Sequence, residues 1–323
     1  MKNQKFKAFV VRDKNQSGIE SMDLDELMSG NVLVKVKYSS LNYKDGLAVL
    51  NKSPIIRRYP MIPGSDFAGI VVKSDYKRFK KGDKVLCNGW GIGEKHFGGF
   101  SEYARVNGKW LIHLPNKFTL EQSMIIGAAG YTASLCVQEL KKKISPSKGE
   151  VIVTGASGGV GSIAVNLLSN LGYNVVAFSG KNFDYLKKLG ANKVIDPKEY
   201  RYSKKPLSRE LWSGIIDTVG GDVLSSFLTE IKYNGIAVST GLAKSHELNT
   251  TVFPFILRNI TLSGIDCVYA PYIKRVNAWK FLENYLDKKI LKNIQTSKDL
   301  TKIKEICTKI INRQVMGRIL IKI

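Results

Sequence analysis

The sequence predicts an α/β protein with two domains, one β-rich and discontinuous, the other a doubly wound parallel sheet. Roughly the first 120 residues contain short β-branched runs bounded by glycine, aspartate and lysine, which is typical of strands. From Glu150 onward, strand-like and helix-like segments alternate, which indicates a parallel sheet with helices on both faces. The last segment, "RILIKI" (318–323), reads as a strand with no helix after it. We therefore expect it to rejoin the β-rich domain.

Length and composition fit this prediction. The chain has 323 residues, enough for two hydrophobic cores, and its 44% hydrophobic and 24% charged content is typical of globular proteins. The start, "MKNQKFKAFVV", lacks the apolar core of a secretory signal, so we expect a cytoplasmic protein. The uncharged stretch from Val151 to Gly180 is interrupted by glycines, serines and asparagines. It is better explained by a buried strand–helix–strand unit than by a membrane span.

The net charge of +23 has two explanations. The 50 lysines and arginines, against 27 acidic residues, are scattered along the chain and are explained by a solvated basic surface. Alternatively, their summed field attracts polyanionic ligands. No nucleic-acid motif is visible, so we expect no nucleic-acid partner. A nucleotide- or RNA-binding protein with little catalysis is the alternative from another functional class.

The elements follow in order along the chain. The segments "FKAFVV", "NVLVKVKYSS", "FAGIVVKS" and "DKVLCNGW" predict strands of the first domain. The period changes at Leu120, where "LEQSMIIGAAGYTASLCVQELKKK" has helical spacing and ends in a lysine run that suits a helix C-terminus. Two further helices are predicted near the end, in "NAWKFLENYLDKK" and "LTKIKEICTKIINRQ".

The most informative motif is the glycine-rich turn in "VIVTGASGGVGSIAVNLL" (151–168). A buried strand runs into Gly155, Gly158, Gly159 and Gly161, and an apolar helix follows. The glycines permit a tight turn and close backbone approach to a pyrophosphate, which the helix N-terminus then attracts. Because the turn joins a strand to a helix within a repeated βα array, it predicts dinucleotide binding.

The end of the next strand predicts which dinucleotide binds. An NAD enzyme usually carries an acidic residue there, which holds the ribose 2′-hydroxyl. In this chain the strand "NVVAFSGKN" ends in Ser179, Gly180 and Lys181. A hydroxyl and a cation suit a 2′-phosphate, and this strand end offers no carboxylate to repel it. The sequence therefore predicts NADPH.

Taken together, the motifs resemble those of the medium-chain dehydrogenase/reductase family, in its zinc-independent, quinone-oxidoreductase-like branch, and within it the NADPH-dependent acryloyl-CoA reductases. The resemblance is carried by "SSLNYKDGLA" (39–48), "PMIPGSDFAG" (60–69), "GWGIGEKHFGG" (89–99), "TGASGGVGS" (154–162), "DTVGG" (217–221), "FPFILRNITLSGID" (253–266) and "IINRQVMGR" (310–318). It implies a GroES-like catalytic domain over residues 1–120 and 269–323 and a Rossmann NADPH-binding domain over residues 121–268. It also implies a homodimer that extends its sheet through "ITLSGIDCV".

The resemblance implies a set of residues that line the cofactor. They are Tyr43, Ser157, Gly158, Gly159, Val160, Gly161, Ser179, Gly180, Lys181, Leu242, Ile256 and Asn312. Leu242 and Ile256 are expected to flank the nicotinamide, or else to be ordinary core residues. Relatives carry an arginine where this chain has Pro197, and Lys198 or Arg201 is expected to replace it.

The sequence predicts no zinc. Ser65 and Asp66 stand where the zinc-dependent relatives carry a histidine ligand and a glutamate. The four cysteines are far apart and form no CxxC pair, which argues against a structural zinc site.

Without a metal, hydrogen-bond donors would have to stabilise the reaction. Hydride transfer to the β-carbon of acryloyl-CoA leaves negative charge on the thioester oxygen, and donors can hold such an enolate. The candidate catalytic residues are Tyr43, Asn42 and Asp45, in the segment where zinc relatives place a ligand cysteine. Alternatively, Tyr43 only packs on the cofactor and solvent supplies the proton.

The predicted reaction is therefore the NADPH-dependent reduction of acryloyl-CoA, or a similar small enoyl thioester, to propionyl-CoA. Arg57 and Arg318 are the candidates for contacts with the phosphates of CoA. A quinone or enone oxidoreductase is the alternative within the same class, since it needs the same cofactor but no CoA site.

Overall fold

The structure, a computed structural model, describes residues 4–323. It contains two compact units. The first unit comprises the described residues up to Ala128 together with Val268–Val276 and Leu291–Ile323, and the second comprises Ala129–Cys267 and Asn277–Ile290. The predicted fold class is confirmed, because the first unit is β-rich and discontinuous and the second contains a parallel sheet.

The strands of the first unit form two sheets. They are β1 (Lys5–Val11), β2 (Ser17–Asp23), β3 (Val32–Leu41), β4 (Asp66–Ser74), β5 (Lys84–Asn88), β6 (Tyr103–Val106), β7 (Leu111–His113), β14 (Gln295–Asp299) and β15 (Arg318–Lys322). β1 and β2 form an antiparallel pair. The larger sheet has the order β14-β15-β3-β4-β5-β7, and β6 also pairs with β3.

The final strand rejoins the β-rich unit, as the sequence predicts. β15 pairs antiparallel with the second half of β3, with Ile319 opposite Leu41. Its other neighbour, β14, was not predicted from the sequence. β14 lies at the edge of the sheet, and its polar residues are mostly exposed, so the segment "QTSKD" resembles a loop in composition.

Two short helices of the first unit pack together: α1 (Tyr43–Val49) and α9 (Ile303–Ile311). Gly46 makes their close approach possible, because a Cβ at this position would lie 2.8 Å from Cγ2 of Ile310. Helix α1 starts directly after β3, at the N-cap residue Asn42. The sheet therefore fixes where Tyr43, the first residue of the helix, is placed.

The second unit contains a six-stranded parallel sheet. Its strands are β8 (Glu150–Thr154), β9 (Asn174–Phe178), β10 (Lys193–Ile195), β11 (Trp212–Asp217), β12 (Ile231–Ser239) and β13 (Thr261–Gly264). The order is β10-β9-β8-β11-β12-β13, and every pair is parallel. Numbered within this unit, the order is 3-2-1-4-5-6, the arrangement of a Rossmann fold. The connecting helices are α3 (Gly159–Asn170), α4 (Phe183–Lys188), α5 (Gly221–Leu228) and α6 (Phe253–Arg258).

Three helices each contain a boundary between the two units: α2 (Leu120–Lys141), α7 (Tyr272–Tyr285) and α8 (Ile290–Ile294). The helix predicted from Leu120 is present, but it is interrupted at Gly127, where φ is 54° and ψ is −161°. In the part of the chain from residue 4 onward, no helix is both long and apolar enough to cross a membrane.

Candidate active site

The turn between β8 and α3 is packed so tightly that two of its positions have room only for glycine. Gly155 has a φ of +58°, and a Cβ there would lie 2.3 Å from Oγ1 of Thr218. A Cβ at Gly161 would lie 2.4 Å from the carbonyl oxygen of Gly155. Helix α3 begins at Gly159, and the N–H groups of a helix's first turn have no partner within the helix. Such N–H groups bind phosphate oxygens, so the turn fits a dinucleotide pyrophosphate.

A buried aspartate fixes this edge of the parallel sheet. Asp217, at the end of β11, accepts hydrogen bonds from Thr154 Oγ1 at 2.7 Å, from the Gly220 backbone at 3.0 Å and from Ser239 Oγ at 3.3 Å. Burial raises the pKa of the Asp217 carboxyl. The three side chains at the ends of β8, β11 and β12 are thus connected. This network holds the strand ends that carry the glycine turn.

The residues after β9 lie next to the glycine turn. Oγ of Ser179 lies 3.0 Å from Oγ of Ser157, and both side chains are buried. Gly180 is exposed, and a Cβ added to it would lie 3.2 Å from Oδ1 of Asp196. Asp196 directly follows β10, the strand beside β9. The sequence prediction of NADPH looked for a carboxylate at the end of the second strand and did not include Asp196. The order of the parallel strands brings the end of the third strand to the same place.

The other predicted cofactor residues of this unit are mostly at its surface. Lys181, Lys198 and Arg201 are exposed. Leu242 and Ile256 are 58% and 68% exposed, which excludes the alternative that they are core residues.

In the first unit, two buried carboxyls and one buried guanidinium are joined by hydrogen bonds to three neighbouring polar residues. We call this group the polar cluster, and it comprises Ser40, Asn42, Asp45, Ser65, Asp66 and Arg318. Asp66 accepts from the backbone N–H of Ser40 at 2.9 Å and from its hydroxyl at 2.6 Å. Asp45 accepts from the backbone N–H of Ser65 at 2.9 Å and from that of Asn42 at 2.8 Å. The last bond is part of the box that caps α1.

Arg318 contributes the positive charge of the polar cluster. Its guanidinium donates to Ser40 Oγ at 2.8 Å, to Asn42 Oδ1 at 3.1 Å and to the carbonyl oxygen of Ile125 at 2.8 Å. Its exposed fraction is only 2%. The structure therefore places Arg318 in the interior of the unit, whereas the sequence interpretation expected it to face the phosphates of CoA. The other candidate, Arg57, is exposed.

Asn42 directs its amide into the polar cluster. Its Nδ2 lies 3.2 Å from Ser40 Oγ, Asp45 Oδ2 and Ser65 Oγ and 3.3 Å from Asp66 Oδ2, while its Oδ1 accepts from Arg318. An amide nitrogen has two hydrogens, and four acceptors surround it here. This orientation suits a residue that positions its neighbours better than one that donates to a substrate.

The interruption of α2 completes the polar cluster. A Cβ at Gly127 would lie 2.4 Å from Nη2 of Arg318 and 2.4 Å from Oγ of Ser40, so only glycine fits against these groups. The non-helical backbone at Gly127 also allows the N–H of Ala128 to donate to Oδ2 of Asp66 at 2.6 Å. The kink therefore supplies both space and a hydrogen-bond donor.

Tyr43 follows the cap residue and is partly buried. Its hydroxyl makes no hydrogen bond within residues 4–323, in contrast to the fully engaged side chains of Asn42 and Asp45. The neighbouring Lys44 pairs with Glu94. Asn312, predicted to contact the cofactor, is exposed at the end of α9. Of the three candidate catalytic residues, Tyr43 is the one whose polar group is available to a ligand.

The two carboxyls of the polar cluster differ from ordinary surface aspartates. Burial, followed by the charge of Asp66, raises the pKa of Asp45 to about 6. Burial also raises the pKa of Asp66, although hydrogen bonds from Ser40 and the charge of Arg318 act in the opposite direction. Within the described part of the chain, no group of three or more His, Cys, Asp or Glu side chains could hold a metal ion.

The raised pKa of Asp45 predicts how stability depends on pH. The folded state binds the proton of the Asp45 carboxyl more tightly than the unfolded state does. The stabilisation that this proton provides is therefore fully present below about pH 4 and is lost as the pH rises through about 6. A pKa shift of this size corresponds to a contribution on the order of 3 kcal/mol. Between pH 4 and pH 7, the wild type is expected to lose more free energy of unfolding than Asp45→Asn, as measured by urea titration. Equal changes in the two proteins would contradict this assignment.

Two domain families match this chain: the alcohol dehydrogenase GroES-like domain over residues 28–116, and the zinc-binding dehydrogenase family over residues 159–284. The chain is 46% identical over 313 residues to the probable acrylyl-CoA reductase AcuI of Escherichia coli K12, covering 96% of each protein. It is 41% identical over 310 residues to the candidate quinone oxidoreductase YhfP of Bacillus subtilis, covering 94% of each.

Two crystal structures have the same fold over nearly their whole length. The yhdH oxidoreductase from Salmonella enterica, in complex with NADP, gives a TM-score of 0.96 at 46% identity, covering 98% of this chain and 99% of the other. The structure of YhfP from Bacillus subtilis, with NAD bound, gives a TM-score of 0.95 at 40% identity, covering 99% and 100%.

Proposed function

Because the chain belongs to the medium-chain dehydrogenase/reductase family, we propose that it reduces the 2,3 double bond of acryloyl-CoA to give propionyl-CoA, with NADPH as reductant. The observation that carries this proposal is the 46% identity to a probable acrylyl-CoA reductase over 96% of each protein. A glycine turn suited to a pyrophosphate and a tyrosine hydroxyl available to a ligand are consistent with it.

NADPH, when bound, supplies the hydride. The proposed Rossmann domain, residues 121–268, would hold its phosphates at the N-terminus of α3. The residues proposed to contact it are Ser157, Gly158, Gly159, Val160, Gly161, Ser179, Gly180, Lys181, Lys198, Arg201, Leu242, Ile256, Asn312 and Tyr43. The NADP complex of the Salmonella oxidoreductase, at 46% identity, supports this choice of cofactor. Residues 1–120 and 269–323 form the proposed catalytic domain.

The chain's own residues stabilise the reduced substrate. A hydride added to the β-carbon leaves an enolate on the thioester oxygen, and the α-carbon then accepts a proton. In the proposed mechanism the hydroxyl of Tyr43 donates a hydrogen bond or the proton, since it has no partner within the described residues. Asn42 and Asp45 hold the first turn of α1, and through it Tyr43, in a fixed position.

By the resemblance described above, two segments of the polar cluster, residues 42–45 and 65–66, correspond to metal-ligand segments of zinc-dependent relatives. We propose that the activity is independent of zinc, because the thioester already activates the alkene and hydrogen-bond donors can hold the enolate. Arg318 serves as a positioning residue, because its guanidinium is bonded inside the unit to Ser40 and Asn42. Contact with the phosphates of CoA is therefore proposed only for Arg57, which is exposed.

A substrate panel tests the proposed function. We expect kcat/KM to be highest for acryloyl-CoA, lower for acryloyl-pantetheine, which keeps the thioester but lacks the nucleotide, and lowest for a simple quinone. The advantage of the CoA ester should shrink at high salt, because screening weakens attraction by the +23 protein. NADPH oxidation is followed with and without a metal chelator, and the chelator is expected to have no effect.

A quinone or enone oxidoreductase is the second candidate, supported by the 41% identity to YhfP. In the same panel, a quinone that exceeds acryloyl-CoA in kcat/KM would establish this alternative. Absence of NADPH oxidation with every activated alkene and quinone would instead favour a nucleotide- or RNA-binding protein with little catalysis.

We further propose a homodimer that acts in the cytoplasm. β13 lies at the end of the parallel sheet and pairs only with β12 among the described strands. In the segment that precedes β13, Val252 and Leu257 are 65% and 55% exposed. Exposed apolar side chains and an edge strand are both features that favour association with a second copy. None of the four cysteines forms a disulfide in the described chain, which is consistent with a reducing compartment. Sedimentation of the full chain at a dimer mass supports the first proposal, and a monomer mass contradicts it.

A further inference from the structure

A carboxylate lies at the part of the Rossmann unit where the cofactor's adenosine ribose is expected. In such folds the ribose 2′-position is read by residues that follow the second strand. Here those residues are Ser179 and Gly180, and the backbone N–H of Ser179 donates to the carbonyl oxygen of Ile195 at 3.0 Å. The next residue, Asp196, therefore lies beside them, with its Oδ1 3.2 Å from an ideal Cβ at Gly180.

The side chain of Asp196 is held in place but its charge has no close counter-ion. Its Oδ1 accepts from the backbone N–H of Lys198 at 2.9 Å. Its Oδ2 makes no hydrogen bond within residues 4–323, and none of the basic side chains described there lies within 4.0 Å of the carboxylate. The free oxygen can accept a hydrogen bond from a ligand.

We propose that Asp196 is a specificity-determining residue that weakens discrimination between NADPH and NADH. This inference rests on the proposed function, because it assumes that the nucleotide binds at the glycine turn. A carboxylate accepts a hydrogen bond from the 2′-hydroxyl of NADH and repels the 2′-phosphate of NADPH. The exposed cations Lys181, Lys198 and Arg201 act in the opposite direction. Cofactor preference is the balance between these two effects.

The sequence around Asp196 shows why the nearby cations alone do not decide the preference between NADPH and NADH. In this chain Asp196 is followed directly by Pro197. Proline provides neither a charge nor a backbone N–H for the phosphate. The pair Asp196–Pro197 therefore offers an acceptor for a 2′-hydroxyl and no donor to a 2′-phosphate.

Equilibrium binding tests the proposal without relying on catalysis. The full chain and its Asp196→Asn variant are titrated calorimetrically with NADP⁺ and NAD⁺. Asparagine keeps an oxygen for the N–H of Lys198, so the turn is retained. We expect the ratio of the NAD⁺ to the NADP⁺ dissociation constant to rise at least tenfold in this variant, chiefly through tighter NADP⁺ binding. The matched control, Asp184→Asn on exposed α4, should leave the ratio unchanged.

Two further measurements assign the effect to the ribose. The smaller probes 2′,5′-ADP and 5′-AMP should show the same shift in ratio, and the shift should decrease as salt rises. A ratio that changes less than twofold in Asp196→Asn, or a shift of equal size in Asp184→Asn, would overturn the proposal. If acryloyl-CoA is not reduced but the ratio still shifts, the proposed substrate fails and the role of Asp196 stands. If the wild type binds neither nucleotide, both fail.

Discussion

Replacing Arg318 with methionine is expected to lower the free energy of unfolding by about 3–5 kcal/mol, because it leaves buried carboxyls without their cation. Arg318 is 2% exposed, and its guanidinium connects to Asp66 through the hydroxyl of Ser40. The variant also removes the donors to Asn42 and to the carbonyl oxygen of Ile125. Urea titration followed by tryptophan fluorescence measures the change.

The matched control for this prediction is Arg105→Met. Arg105 also donates from a partly buried guanidinium, but to the carbonyl oxygens of Leu27 and Leu24 and not to a carboxyl-bearing cluster. Its loss is expected to cost about 1–2 kcal/mol. Adding Asp66→Asn to Arg318→Met should recover part of the stability, since one unpaired charge is removed. If Arg318→Met costs no more than Arg105→Met, the polar cluster does not depend on this cation.

Replacing Tyr43 with phenylalanine is expected to lower kcat by about 100-fold or more, the usual range for loss of a general acid. The variant keeps the ring and removes only the hydroxyl, which makes no hydrogen bond to the rest of the described chain. Stability and the NADPH dissociation constant should therefore stay near their wild-type values. Steady-state kinetics with acryloyl-CoA and a fluorescence titration with NADPH measure the two quantities separately.

Tyr38→Phe provides the comparison for the Tyr43 variant. Tyr38 lies on β3, five residues before Tyr43, and its hydroxyl is likewise without a hydrogen bond in the described residues. Its removal should leave both kcat and KM unchanged. A kcat for Tyr43→Phe within twofold of wild type would mean that solvent supplies the proton and that the Tyr43 ring only packs on the cofactor.

Local patterns in the sequence predict most of the fold because the elements are regular. The glycine turn, for example, is recognisable from spacing alone, and the Gly155 and Gly161 backbones approach their neighbours as the motif requires. The sequence does not predict the strand β14, because an exposed edge strand needs no apolar residues and so lacks the usual signal of a strand. Its pairing with β15 is decided by the neighbouring strand and not by its own side chains.

The candidate site was less predictable, because its contacts join distant parts of the chain. Arg318 and Asn42 are 276 residues apart in sequence, and no local pattern indicates that they meet. Both were predicted as residues that face ligands, since their chemistry permits it. Asp196 is a different case, because nothing in the local sequence marks it as a residue near the cofactor. Only the order of the parallel strands brings it next to Gly180.

Because the β-rich unit is discontinuous, it can finish folding only when the end of the chain has been synthesised. The second half of β3 pairs with β15, so this part of the sheet stays open until residue 322 has been synthesised. At about 5–20 residues per second, translation from Leu41 to Lys322 takes roughly 15–55 seconds. Arg318 is the first residue of β15, so Asp66 and Asp45 also acquire their buried counter-charge only then. The nascent N-terminal segment therefore spends most of translation with an open strand edge and an unbalanced pair of acids.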